Sequence, residues 1–107
     1  MPIEYILANL NPTRGREQSG TRPVLIISQD VFNRHSGTVI ALALTSQAPT
    51  VKFPLVFLIK SVSLPKQSWV KISQIRTLSI DRLGDRISQI SPEELAIVVS
   101  GLNEIVG

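Results

Sequence analysis

Gly20-Thr21-Arg22-Pro23-Val24-Leu25-Ile26-Ile27-Ser28 sets four apolar residues, three of them β-branched, between a proline and a serine. Branching at Cβ fits a pleated strand better than a helix, so this stretch reads as a β-strand with Arg22 at its mouth. Leu44-Thr45-Ser46-Gln47 and Gln74-Ile75-Arg76-Thr77 repeat the layout, with polar groups at one end of an apolar run. A side chain at a strand mouth inherits the rigidity of the sheet, which is what a chemical site requires. Arg22, Thr45 and Ser46 are the first candidate site residues on this ground.

Working outward, apolar and β-branched residues cluster over 4–10, 23–28, 38–44, 54–59 and 69–75, in short runs separated by Gly, Pro, Asn and Ser. This is the rhythm of an antiparallel all-β barrel or sandwich. The first connection, residues 11–21, is long and polar for a hairpin, and loops of that length in compact domains are commonly functional. It brings Arg14, Arg16 and Glu17 close in sequence to Arg22. Toward the other end, Ser91-Pro92-Glu93-Glu94 opens a helix: Ser91 suits the cap, Pro92 the first helical position, and Glu94 the third, completing a capping box. Leu95, Val98, Val99, Leu102, Ile105 and Val106 follow helical spacing on one face, so the helix is expected to pack on the sheet or across a dimer seam. Asp81-Arg82-Leu83-Gly84-Asp85 reads as a turn or short helix leading to it, and Asn33-Arg34-His35-Ser36-Gly37 as a polar stretch with His35 solvated in a loop.

A chain of 107 residues, 43% hydrophobic, is expected to form a single domain over 1–107. With only 18% charged residues it leaves apolar surface that a homodimer would cover. It holds no cysteine and one histidine, which excludes disulfides and thiolate metal sites, so no metal or other cofactor is expected. The start Met1-Pro2-Ile3-Glu4 lacks a basic region and no apolar run approaches the ~18 residues needed to span a bilayer, so no membrane is expected and the chain reads as cytoplasmic. The charge is uneven. Residues 1–76 carry nine Lys/Arg against three acids, and residues 77–107 two against five. The basic portion contains the three segments quoted above, which points to a polyanionic partner; an ordinary basic surface is the competing reading.

There is no Gly-rich phosphate loop, no dinucleotide fingerprint, no acidic cluster for two magnesium ions and no His/Ser or His/Cys set. An enzyme built from this chain works with Arg, Lys, Glu, Gln, Ser and Thr. That set suits cleavage of RNA by its own 2′-hydroxyl, where the nucleophile is already tethered and the protein aligns it, neutralises the phosphorane and manages two protons. Arg22, whose planar guanidinium matches phosphate oxygens, is the best-placed cation; a surface ion pair with Glu17 or Asp30 is its alternative. Thr45 and Ser46 could donate to a phosphoryl oxygen or simply cap a strand end. Glu17 could act as a base or pair with Arg14 or Arg16. Trp69 and Phe32 are assigned to packing, in the core or a dimer interface, ahead of base stacking. Gln74 and Arg76 lie in the last strand of this reading, on the face opposite Ile75.

The order Asn11-Pro12-Thr13, Gly15, Glu17-Gln18, Gly20, Arg22-Pro23-Val24-Leu25-Ile26, then Phe32-Asn33, Leu44-Thr45-Ser46, Gln74-Ile75-Arg76-Thr77 and Asp81-Arg82-Leu83 closely resembles the MazF/PemK family of toxin ribonucleases over nearly the whole chain. The resemblance implies a mainly β, SH3-like β-barrel with a C-terminal amphipathic helix and short peripheral helices, acting as a homodimer. It implies a metal-independent endoribonuclease that cuts single-stranded RNA, chiefly messenger RNA, leaving a 2′,3′-cyclic phosphate and a 5′-hydroxyl. Carried over by residue, the family's essential arginine falls on Arg22 and its essential threonine on Thr45. The Glu-Gln pair falls on Glu17 and Gln18, with Glu17 as the base, and Gln74 becomes an RNA contact. Arg16, Ser46, Gln47 and Arg76 complete the expected substrate-binding set. An antitoxin with an acidic tail is the implied partner. Some PemK-type members carry a histidine before the loop glutamate and an Arg-x-Asp pair before the later motif; here these positions are Arg16, Lys71 and Ser73. The MazF-type assignment on Arg22 and Thr45 is therefore preferred. A gyrase-poisoning toxin of the CcdB type, or an inactive RNA-binding relative, is the alternative; the chain end Asn103-Glu104-Ile105-Val106-Gly107 lacks the Trp-containing tail of the former.

Overall fold

The computed structural model describes residues 6–10, 22–62 and 64–107, with residues 6–10 and Arg22 given by their backbone alone. Its elements are β1 (Ile6–Leu10), β2 (Arg22–Ile26), α1 (Asp30–Ser36), β3 (Thr38–Thr45), β4 (Val56–Leu58), β5 (Trp69–Ser79), a 3-10 turn (Ile80–Arg82), β6 (Leu83–Gln89) and α2 (Pro92–Val106). The strands form one antiparallel sheet in the order β4-β5-β3-β2-β1-β6.

β2 lies inside this sheet, which is why its sequence is apolar without a polar alternate. Val24 and Ile26 enter one buried cluster with Val39, Ala41 and Leu78, and Leu25 enters a second with Leu42, Val70, Ile72, Ile90 and Val98. Each such buried side chain contributes about 1.5–3 kcal/mol by leaving water. α2 covers the second cluster through Val98, flanked by Leu95 and Leu102. Gly101 lets that helix approach closely: a Cβ there would stand 2.9 Å from Ile72 Cδ1 and 3.0 Å from the Phe53 ring. Val99, Ile105 and Val106 remain exposed, so only part of the expected apolar stripe is buried within one chain.

β5 holds an irregularity that sets its faces. Leu42 pairs with Ile75 but the next residue, Ala43, pairs with Lys71, so Ile72, Ser73 and Gln74 have no counterpart on β3. An odd number of extra residues reverses the inward face. Val70 and Ile72 accordingly join the second cluster and Leu78 the first, while residues 73–77 are all exposed.

The expected mainly β, SH3-like class with a C-terminal helix holds, and among the described residues β4 and β6 each pair on one side only, so the sheet is open. Other expectations need correction. β5 continues to Ser79 and is followed by β6, so Gln74 and Arg76 are not in the last strand. The turn read at 81–85 is a 3-10 turn that ends at Arg82 and feeds directly into β6. β6 was hidden because its residues are mostly exposed on an edge and spell no apolar alternation. The polar stretch around His35 is helical: Arg34 bonds Asp30 at 3.1 Å one turn back, and Gly37 ends the helix at φ 71, its N–H donating to the Asn33 carbonyl. His35 is exposed, as expected, but on that helix, and Phe32 stays outside the core beside it. Asn33 is fully buried; it accepts from the Ser28 hydroxyl and donates to the Ser28 carbonyl, while Ile40 N–H donates to Ser28 Oγ at 2.9 Å.

The capping box is half formed. Glu94 N–H donates to Ser91 Oγ at 3.1 Å, but the Glu94 carboxylate accepts from the backbone amides of Lys60 (2.8 Å) and Ser61 (3.0 Å). Ser91 N–H donates to Ser61 Oγ instead, at 3.1 Å. Glu94 is only 8% exposed, and two loop amides satisfy a buried carboxylate better than the single amide of a capping box.

Candidate functional site

The β2–β3 ladder runs from Ile26↔Ala41 to Val24↔Ala43, so Arg22 on one strand and Thr45 on the other lie beyond it toward the same end of the sheet. On its other side Arg22 pairs with Leu10 of β1, and Thr45 pairs with Trp69 of β5. Four strands thus converge on one end of the sheet.

At that end lies a groove of about 670 Å³. Pro23 and Leu44 contribute its apolar surface with Ile87 of β6, Thr45, Ser46 and Gln47 form one rim, and Leu64, Pro65, Lys66 and Ser68 form the other. That β6, two strands from β2 in the sheet, reaches the same groove means the sheet curls around it. Thr45 is half-buried and its Oγ1 accepts the Gln47 N–H at 3.2 Å, a local bond that folds the chain back after the strand. The Thr45 hydroxyl proton stays free to be donated, because Oγ1 is the acceptor in that bond. Ser46 and Gln47 are exposed along the rim.

The structure separates two of the other expected residues, Arg76 and Gln74, from this groove. Arg76 pairs with Ala41, four residues from Thr45 along β3 and so ~13 Å away along the strand. Gln74 sits in the irregular segment of β5; both side chains are exposed and neither lines the groove. Arg16, Glu17 and Gln18 lie outside the described residues. Lys66 is the cation that sequence reasoning missed. No local pattern marks it, because its place depends on Trp69 pairing with Thr45 across 24 residues of chain.

The arrangement offers a hydroxyl donor, a flexible ammonium and a short apolar surface in one open groove, beside a strand mouth that begins with a guanidinium residue. Such a set binds and polarises a phosphodiester. Residues 2–106 match the family model described as PemK-like, MazF-like toxin of type II toxin-antitoxin system. The chain belongs to this family. Solved structures agree with the PemK/MazF-like assignment. An endoribonuclease in complex with its cognate antitoxin from a mycobacterial species is 26% identical, with 97% of this chain and 93% of that one covered and a TM-score of 0.78. MazF from Deinococcus radiodurans is 27% identical, over 97% and 94% of the two chains, with a TM-score of 0.77. A MazE-MazF structure from the same organism, at 24% identity, coverage of 97% and 93% and a TM-score of 0.79, bears on the fold alone. The PemK/MazF-like fold is mainly β with a C-terminal helix here, and no described helix is long and apolar enough to cross a membrane.

Proposed function

We propose that this chain is the toxin of a type II toxin-antitoxin pair and acts as an endoribonuclease on single-stranded RNA, messenger RNA in the cell, within the cytoplasm. The RNA 2′-hydroxyl attacks the adjacent phosphorus, the P–O5′ bond breaks, and the products carry a 2′,3′-cyclic phosphate and a 5′-hydroxyl. No metal is needed because the nucleophile is intramolecular. Arg22 neutralises the phosphorane oxygens and the Thr45 hydroxyl donates to one of them. Glu17 takes the 2′-hydroxyl proton, and water in the open groove supplies the proton that the leaving O5′ takes up. Ser46 and Gln47 hold the nucleotide at the rim, and Arg16, Gln18, Gln74 and Arg76 extend the contact along the strand. A cognate antitoxin with an acidic tail competes for the same basic groove, and the working unit is a homodimer.

The observation that supports this reading is the groove lined by Thr45, Ser46 and Lys66 at the end of the sheet where β2 begins with Arg22. Purified protein incubated with mixed-sequence RNA and a chelator is expected to yield discrete fragments with cyclic-phosphate ends. Arg22→Ala is expected to abolish them while leaving the circular dichroism spectrum unchanged. Metal-dependent cutting, or full activity in Arg22→Ala, would overturn the mechanism; trapped gyrase–DNA complexes with intact RNA would favour the gyrase-directed alternative.

A further inference from the structure

The described residues of the connection between β4 and β5 form a ridge held by hydrogen bonds and packing. Its ends close through the Ile59 N–H to the Ser68 carbonyl, at 3.0 Å, directly beside the Leu58↔Trp69 pair. From below, the buried Glu94 carboxylate holds the amides of Lys60 and Ser61, and Ser61 Oγ receives the Ser91 N–H. Val62 and Leu64 pack against the core cluster under α2. The ridge separates two depressions. One is the groove beside Thr45; the other is a recess of about 360 Å³ that shares Leu64, Lys66 and Ser68 with it and adds Lys60 and Gln67. Among the described residues no carboxylate lines either depression, and Glu94 beneath the ridge spends both oxygens on backbone amides.

We infer that this recess is a second subsite for the RNA backbone, in which Lys60 takes a phosphate lying outside the scissile linkage after the strand has crossed the ridge at Lys66. Glu94 is the positioning residue that fixes the Lys60 main chain so that its side chain faces the recess. The inference rests on the RNA-cleavage reading above. It gives the enzyme a preference for RNAs that extend beyond the nucleotides flanking the cut.

The test begins with a cut mapped on a long mixed-sequence RNA. Synthetic oligonucleotides spanning only that cut are then compared with ones extended on the 5′ or the 3′ side. For the wild type, kcat/KM is expected to be several-fold higher on one extended series, and Lys60→Ala is expected to remove that advantage. On the extended RNA the slope of log KM against log salt is expected to fall by about 0.7 in Lys60→Ala, the value for one phosphate contact on a single strand. Glu94→Gln is expected to raise KM on the extended RNA more than on the short one, with kcat retained; should that variant unfold, Lys60→Ala decides alone. A wild type without a length preference, or a Lys60→Ala variant that keeps both the preference and the salt slope, overturns the subsite. A wild type that cuts neither RNA overturns the cleavage reading instead.

Discussion

On the proposed chemistry Thr45 acts through its hydroxyl alone, so Thr45→Val is expected to lower kcat by about 10²- to 10³-fold, the range for removing one donor to a developing oxyanion. Thr45→Ser is expected to retain most activity in the same assay. Asn33 stands at the opposite pole, since it touches no groove and holds Ser28 inside the fold. Asn33→Ala leaves the buried Ser28 hydroxyl without its acceptor and is expected to cost about 1–3 kcal/mol in urea unfolding, with catalysis unchanged in the molecules that remain folded. These two residues also mark the limits of sequence reading. The place of Thr45 at a strand end was legible because an apolar run ends at it, a purely local sign. Lys66 and the true partners of Glu94 were not, because each is defined by pairing between distant segments.

At the scale of elements, runs that are buried announce themselves. β2, β3 and most of β5 were legible from β-branched composition, and α2 from its cap and spacing. α1 and β6 were not. The first is short and faces solvent except at Asn33, and the second lies on a sheet edge, so neither carries a periodic apolar signal. The N-cap of α2 can be tested separately from the tether that grips the ridge. Ser91→Ala removes the acceptor for Glu94 N–H and is expected to cost about 1 kcal/mol. Glu94→Ala strands two loop amides and is expected to cost more than Ser91→Ala in the same unfolding experiment. A reversed order would show that the tether contributes less than the cap.

For the whole molecule, the exposed Ile75, Ile97 and Val106, at 50%, 42% and 74% of their surface, are apolar area that a lone chain leaves in water. Sedimentation at micromolar concentration is expected to give twice the chain mass, and a concentration-independent monomer would overturn the dimer. The general architecture was legible because alternating short runs and a capped helix admit few topologies, whereas closure of the sheet was not, since the pairing of its edges leaves no trace in composition. The reversal of faces within β5 has an evolutionary corollary. Because Ile72, Ser73 and Gln74 are the only residues that switch Val70 to one side and Leu78 to the other, length changes here obey parity. Losing or gaining one residue would turn Leu78 outward and bring a neighbouring threonine or serine in, while a change of two preserves the inside. Descendants of this chain should therefore vary in even steps at that point and not in odd ones.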